Sequence, residues 1–393
     1  MSVAAEAGAR RPFRLLLPET DYRLLGAILA LGLIGLVMVA SASVSLAERQ
    51  LGTPFYYLER QVLFMLIALA LGWLTLQLRL EYWQHGSSVL LLGALLLLVL
   101  VLVPGVGREV NGSTRWISLG IFNLQVSEVL KIALMVYLAA FLVRRGDQVR
   151  GTMSGFLIPI GLLALCGALL LRQPDFGAVV VIGATGLGML FLGGVPLWRF
   201  AVLVVTSVGA GWMLIVGSPY RLERLLSFSN PWEDPFNTGF QLTQSLIAIG
   251  RGEWLGVGLG SSVQKLFYLP EAHTDFVFAV LAEEFGLLGV VVLIALYSYV
   301  CWRIFAIGRA SLQAGQPFAG YLCFGIGFWF GLQTFINVAV NMGLLPTKGL
   351  TLPLLSYGGS SLLMTVVALA LVLRADHERR GAAGMPRRRR RRT

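Results

Sequence analysis

The sequence predicts an all-α, polytopic membrane protein of about ten spanning helices, and three observations carry that prediction. Apolar residues make up 56% of the 393 positions and charged residues only 13%, about half the ~25% usual in a water-soluble domain. Mean hydropathy is +0.77, more apolar surface than a water-soluble fold can bury. The apolar residues also gather into runs close to the ~20 residues that carry a helix across a bilayer.

In chain order the runs fall at about 23–45, 58–78, 86–104, 127–143, 154–171, 176–194, 196–217, 276–302, 317–342 and 351–373, each bounded by charged or turn residues. They divide the chain into an N-terminal tail (1–22), a ten-helix membrane domain (23–374) and a basic C-terminal tail (375–393). Ten crossings put both termini on one side. Twenty of the 31 Lys and Arg residues lie in the tails and the loops of that side, ten lie in the opposite loops, and Lys131 lies within a span. The positive-inside rule therefore makes both termini cytoplasmic. Ala40-Ser41-Ala42 resembles a leader-cleavage site, but the apolar run before it exceeds the ~7–15 residues of a signal peptide, so the first run is read as a retained helix.

The net charge of +11 has the same origin. Six of the basic residues form the run Arg387 to Arg392, and the outer loops carry ten residues of each sign. The excess faces anionic headgroups on the cytoplasmic side, so nucleic acid is not expected as a partner. Cys166, Cys301 and Cys323 all sit in apolar stretches and support neither a disulfide framework nor a Cys/His metal site.

Two outer segments interrupt the alternation of helix and short loop, at about 105–126 and 218–275. Connections of that length are functional or disordered; the second is rich in Trp, Phe, Tyr and Leu, which favours ordered structure on the outer face. Chemistry is expected there. No phosphate-binding loop of the G-x-x-x-x-G-K-[ST] type occurs in the chain, and no nucleotide is expected on the outer side.

Ionisable residues within spans are expensive and therefore informative. Glu128 and Lys131 lie three apart on one helix face, where an internal ion pair is the plainer reading. Glu283 and Glu284 admit a proton path or, more plainly, hydrogen bonds to a neighbouring helix. Asp275 sits in the first turn of the eighth run, after Glu271, His273 and Thr274. It is either an ordinary acid at a helix N-terminus or a general base facing a cavity at the outer interface. His273 is either a proton carrier or an interfacial polar residue. Pro346-Thr347-Lys348-Gly349 and Leu355 to Ser361 cluster Gly and Ser inside an apolar stretch. They suggest a broken helix beside a cavity, able to hold a diphosphate with Lys348, or close packing of small residues. Gly256 to Ser262 reads as an ordered turn.

Taken together, these residues resemble the SEDS family of FtsW, RodA and SpoVE, from the first span to the last. The resemblance rests on Pro231-Trp232-Glu233-Asp234-Pro235, Gly239 to Leu246, Gly258-Leu259-Gly260, Gln264-Lys265-Leu266 and Leu269 to Phe276. It rests also on Arg115-Trp116-Ile117, Ser127-Glu128 with Lys131, Gln173-Pro174-Asp175-Phe176-Gly177, and Leu352 to Ser360. One departure is Val126, where the family has proline between Gln125 and Ser127. The wording of Pro231 to Phe276 and the basic tail resemble the division branch of the family more than the elongation branch.

The resemblance implies a peptidoglycan glycosyltransferase that polymerises lipid II into a growing glycan strand on the outer face of the bacterial cytoplasmic membrane, at the septum. It places the family's catalytic acid on Asp275. It makes Lys348 and Arg115, with Mg²⁺ or Mn²⁺, candidates for the diphosphate. Trp116, Gln173, Asp175, Gln241, Gln244, Lys265, Glu271, His273, Ser356, Gly358, Gly359 and Ser360 are further candidates for substrate binding, and Arg221 and Arg224 for headgroup contacts. The implied partners are an FtsI-like class B penicillin-binding protein and the single-span proteins FtsQ, FtsL and FtsB. A lipid II flippase and a non-catalytic division scaffold are the competing functions.

Overall fold

The computed structural model describes residues 20–383 apart from 111, 112, 119, 121, 220, 221, 224–227, 229, 238, 267 and 348. The helices run α1 (Tyr22–Leu51), α2 (Tyr56–Gln77), α3 (Leu80–His85) and α4 (Ser87–Leu100), then, after a small sheet, α5 (Val126–Gly151), α6 (Met153–Arg172), α7 (Phe176–Leu192) and α8 (Leu197–Val216). The long segment after α8 contributes α9 (Phe240–Arg251), and the chain closes with α10 (Val277–Gln313), α11 (Pro317–Asn341) and α12 (Gly359–Ala383).

Eight of these helices, α1, α2, α5, α6, α8, α10, α11 and α12, are long and apolar enough to cross a membrane. The runs expected at 86–104 and 176–194 form the shorter apolar helices α4 and α7, of 14 and 17 residues. Burial separates the centre of the bundle from its edge. In α12 and α5, 89% and 83% of the most apolar stretch is buried, against 6% in α8. The α5 and α12 side chains therefore face other helices, whereas α8 presents nearly all of its surface outward. Asp21 caps α1 and pairs with Arg303 of α10 at 2.6 Å and Arg380 of α12 at 4.0 Å. The start of α1 and the end of α12 are thus on one side of the bundle, as an even number of crossings requires.

Three features depart from a simple helical bundle. The segment expected as an amphipathic loop at 105–126 contains an antiparallel sheet of β1 (Gly107–Val110), β2 (Ser113–Ser118) and β3 (Asn123–Gln125), in the order β1-β2-β3. All-α describes the helical body but not this sheet.

The second departure is a break inside α10. Gly286 takes φ 63° and ψ −163°, a conformation essentially restricted to glycine. The chain after α9 inserts at the break and meets the freed backbone groups. Val257 N–H donates to Glu283 O and Gly258 N–H to Glu284 O, both at 3.0 Å, while Leu287 and Leu288 N–H donate to Glu253 O and Trp254 O at 2.9 and 3.1 Å. A Cβ on Gly252, Gly256 or Gly286 would run into the backbone of the opposing strand of this clasp.

The third is the last expected span. It begins as a helix only at Gly359, and the residues before it are irregular. Leu352, Leu354 and Leu355 are nevertheless buried, and the Leu354 carbonyl lies against Gly35 of α1 so closely that no side chain fits there. Gly35 is thirteen residues into α1, about 20 Å along the helix at 1.5 Å per residue. The segment therefore dips to membrane depth, where non-helical backbone survives only if protein covers it.

Candidate active site

The turn before α10 is built around Glu271, which has a positive φ of 55°. Its carbonyl accepts the N–H groups of Thr274 (3.1 Å) and Phe276 (3.2 Å), and its carboxylate accepts the Thr274 hydroxyl at 2.7 Å. The turn fixes where His273 and Asp275 point. Two amides one turn apart on α11 then clamp the Asp275 backbone, since Asn337 Nδ2 and Asn341 Nδ2 donate to its carbonyl at 2.9 and 3.0 Å. Asn337 also donates to Leu350 O at 2.6 Å, and the Asn341 side-chain oxygen accepts Ala279 N–H at 3.3 Å.

The Asp275 side chain is half-buried and lies over the dipping segment, where a Cβ on Gly349 would come within 3.1 Å of its Oδ2. Gly349 thus leaves the carboxylate room beside a backbone. Lys348, the cation expected next to it, lies outside the described residues, as do Arg221, Arg224 and the Arg387 to Arg392 run.

His273 occupies the other side of the same junction. Its carbonyl accepts Tyr357 N–H at 2.9 Å, and its buried ring sits 4.6 Å from that of Tyr57 and 5.6 Å from that of Tyr357. Burial holds the imidazole pKa below its ordinary value, against the opposing pull of the Glu271 charge. At neutral pH the ring is therefore uncharged, and its Nδ1 has no hydrogen-bond partner among the described residues.

The dipping segment is held from several directions. Gln333 Nε2 donates to Thr351 O at 2.9 Å, while its oxygen accepts Lys131 Nζ (2.8 Å) and Trp329 Nε1 (2.7 Å). Lys131 in turn pairs with Glu128 at 2.8 Å. The internal pair read from the sequence is thus one end of a buried polar chain that runs from α5 through α11 to the backbone beside Asp275. Ser356 Oγ accepts Leu352 N–H at 2.8 Å, and Ser356 O accepts Gln61 Nε2 at 3.3 Å. Ser360 Oγ accepts Gln125 N–H and donates to Asn123 O, both at 2.9 Å, joining β3 to the start of α12. Gly358 precedes that helix, and Gly359 opens it with space for the Phe64 ring, 3.0 Å from where a Cβ would be.

Other candidates form separate groups. Arg115 donates to Gln173 O at 3.0 Å and Pro174 O at 2.7 Å, and lies 3.8 Å from Asp175, which caps α7. Gln173 Nε2 donates to Leu98 O at 3.1 Å. These three residues join the sheet to the α6–α7 turn, and Trp116 sits in the sheet opposite Gln125. Gln241 and Gln244 are half-buried on α9.

Lys265, a candidate for substrate binding, lies in the clasp. Its Nζ is 2.6 Å from Glu284 Oε1 and 2.8 Å from Ser41 Oγ, and it is buried. An ammonium so enclosed is already satisfied, and Glu284 lies nine residues along from Asp275, about 13 Å. Glu283 accepts the Ser262 hydroxyl and the N–H groups of Val263 and Gln264. Both carboxylates therefore fasten the segment after α9 to α10, and only Glu284 also makes the hydrogen bond to a neighbouring helix that the sequence suggested, accepting the Ser41 hydroxyl of α1 at 2.6 Å.

Gln333, Asn337 and Asn341 were not singled out by sequence. Their signal was available as three amides at i, i+4 and i+8 on one face of an otherwise apolar helix.

The architecture defines a class: a polytopic helical membrane protein whose candidate carboxylate borders a non-helical segment at the end of a long loop. The family model described as cell cycle protein, covering FtsW, RodA and SpoVE, matches residues 22–381, and the chain belongs to that family. It is 60% identical to the probable peptidoglycan glycosyltransferase FtsW of Alkalilimnicola ehrlichii over 94% of this chain and 92% of that protein. With the protein of the same description from Halorhodospira halophila it shares 57% over 96% and 95%. A solved structure described as showing structural coordination of polymerization and crosslinking by a peptidoglycan synthase complex superposes with a TM-score of 0.76 at 31% identity, covering 92% of this chain and 99% of that one. The Thermus thermophilus rod shape determining protein RodA does so with a TM-score of 0.69 at 30% identity, covering 92% and 98%.

Proposed function

We propose that this protein is a peptidoglycan glycosyltransferase that extends glycan strands from lipid II, with Asp275 as general base. The observation that carries the reading is the Asp275 junction. Its backbone is clamped by Asn337 and Asn341 while its half-buried carboxylate faces the glycine at 349. The carboxylate would take the proton of the acceptor sugar's 4-hydroxyl as that oxygen bonds to the donor's anomeric carbon. The bond from that carbon to the lipid diphosphate breaks, and the diphosphate leaves with the electron pair.

Lys348 is the proposed partner of the leaving diphosphate. Mg²⁺ or Mn²⁺ would enter with the diphosphate it neutralises. No three His, Cys, Asp or Glu side chains converge among the described residues, so those residues would add at most one or two carboxylates to such an ion. Both termini are cytoplasmic in this reading, the Asp275 junction faces outward, and the protein works in the inner membrane at the division septum. An FtsI-like class B transpeptidase is the proposed partner, with FtsQ, FtsL and FtsB around it; the peptidoglycan synthase complex among the structural relatives supports the first of these.

The test is reconstitution of the full chain with a class B penicillin-binding protein and lipid II. Wild type should yield glycan polymer and Asp275→Ala at least about a hundred-fold less. Equal polymer from the two would remove Asp275 as the base. Scrambling of lipid II by wild-type liposomes without polymer would favour a flippase. Rescue of division by Asp275→Ala in depleted cells would favour a scaffold.

A further inference from the structure

Two of the cations that the sequence offers to a substrate are already engaged. Arg115 is held by the Gln173 and Pro174 carbonyls beside Asp175, and Lys265 is buried against Glu284. Arg60, on the second turn of α2, is exposed and makes no ion pair among the described residues. Its guanidinium lies over the Tyr56 ring, 4.8 Å from the centroid, and close enough to Tyr357 for its charge to act on the phenol.

This face of α2 is fixed against the junction beside Asp275. Gln61 donates to Ser356 O, and the rings of Tyr57 and Phe64 lie 5.2 and 6.4 Å from that of Tyr357. At 3.6 residues per turn Arg60 lies within about 60° of both Tyr57 and Phe64, so it stands at the edge of the packed face and not behind it. From there a row of rings leads toward the carboxylate. Tyr56 is 5.4 Å from Tyr57, Tyr57 is 4.6 Å from His273, and Asp275 follows His273 by two residues. Tyr56, Tyr57 and Tyr357 are half-buried, which leaves part of each side chain open.

The chemistry of the transfer gives this arrangement to one of the two substrates. The donor's diphosphate leaves from the carbon under attack, so it must lie at the carboxylate. The acceptor presents its 4-hydroxyl at the far end of a disaccharide, so its own diphosphate lies two sugar rings away from Asp275. A cation separated from the carboxylate by aromatic rings meets the second requirement. The rings offer a sugar an apolar face with a polar edge, and a guanidinium can hold two phosphate oxygens at once. We infer that Arg60 binds the diphosphate of the acceptor lipid II, whose disaccharide lies along Tyr56, Tyr57 and Tyr357 with its 4-hydroxyl at Asp275. The inference rests on the transferase reading of Asp275 and adds to it a residue that tells acceptor from donor.

The test uses the full chain with a class B penicillin-binding protein in phosphatidylcholine vesicles, and two lipid II analogues each confined to one role. Capping the terminal 4-hydroxyl as a methyl ether leaves a molecule that can only donate. Replacing the anomeric oxygen by methylene leaves one that can only accept, because its diphosphate cannot depart. A single coupling joins the two, and each KM is read by varying one analogue at saturation of the other. Arg60→Gln should raise the acceptor KM by about ten-fold or more, from lost hydrogen bonds to a charged group, while the donor KM and kcat stay within about two-fold. Unchanged donor kinetics also show that the variant is folded. Direct binding of the accept-only analogue should weaken by the same factor, and Arg60→Lys, which keeps the charge, should stay within about three-fold of wild type. An equal rise in both KM values, or a rise in neither, would overturn the inference. So would an acceptor effect seen only when phosphatidylglycerol is added, which would make Arg60 a headgroup contact. Arg60-dependent binding of the accept-only analogue without any coupling by wild type would leave the phosphate site standing and remove the transferase reading instead.

Discussion

The break at Gly286 and the segment before α12 both bring non-helical backbone into this bundle, and they are stabilised in opposite ways. At the Gly286 break, backbone answers backbone. Four hydrogen bonds join residues 253–258 to the two sides of the break, and three glycines permit the approach. In the segment before α12, side chains answer backbone, with Gln333, Asn337, Gln61 and Ser356 each supplying a bond to a main-chain group. A backbone clasp tolerates no change of shape. A segment held by amides on rotatable side chains can shift by small amounts without leaving a polar group bare. The second kind is the one that lies beside Asp275, so the clasp should govern whether the protein folds and the amide ladder how well it works.

The largest expected effect follows from the clasp. Gly286→Val places a β-branched side chain at a conformation that essentially only glycine adopts, in contact with the Gly256 backbone. The variant should not accumulate in membranes at all. Normal accumulation with normal polymerisation would mean that α10 need not be broken there.

Next is the ion pair that fastens the clasp. Lys265→Met leaves Glu284 buried without its cation, which costs about 3–5 kcal/mol, whereas replacing both partners by apolar residues is often nearly neutral. Lys265→Met should therefore lower thermal stability sharply, and Lys265→Met with Glu284→Leu should recover most of it. If Lys265 instead bound a substrate headgroup, the single variant would keep its stability and the double variant would regain no activity.

The ladder should behave differently. Asn337→Leu leaves the carbonyls of Asp275 and Leu350 short of a donor, at about 1–3 kcal/mol for an unsatisfied buried group. Asn341 still holds Asp275 O, so the protein should fold. A misplacement of the carboxylate by about 1 Å can reduce a rate about a hundred-fold, and turnover should fall with little change in substrate KM. A loss of stability as large as that of Lys265→Met would erase the contrast between the two regions.

The difference between them also explains what was legible in the sequence. Runs of apolar residues depend only on local composition, so most of the helices and the positions of the two long connecting segments could be read directly, whereas the sheet in the first of them could not, and the Glu128–Lys131 pair followed from a spacing of three. The break at Gly286 could not, because glycine is common in membrane helices and what makes this one special is a partner strand thirty residues earlier. The pairing of Lys265 was hidden for a related reason: its partner Glu284 belongs to a different element, and only the clasp brings them together. Of the site, Asp275 was visible as a carboxylate at an apolar boundary. Its supports on α11 were not sought, since uncharged amides in a span attract less notice than acids.

The smallest effect concerns His273, whose ring packs on Tyr57 and Tyr357 at the edge of the dipping segment. Burial lowers its pKa in the folded protein, so between that lowered value and the unfolded value near 6.5 the unfolded chain binds more protons. Stability from this residue is fully present above about pH 6.5 and declines as pH falls through the window. Wild-type melting temperature should drop between pH 7.5 and 5.5 by about 1–3 °C more than that of His273→Phe, which keeps the aromatic packing but cannot take a proton. The carboxylate of Glu271 opposes the shift, so Glu271→Gln should enlarge the acid sensitivity. If His273→Phe and wild type lost stability in parallel on acidification, the ring would be reached by water in the folded state, and the junction beside Asp275 would be looser than its hydrogen bonds indicate.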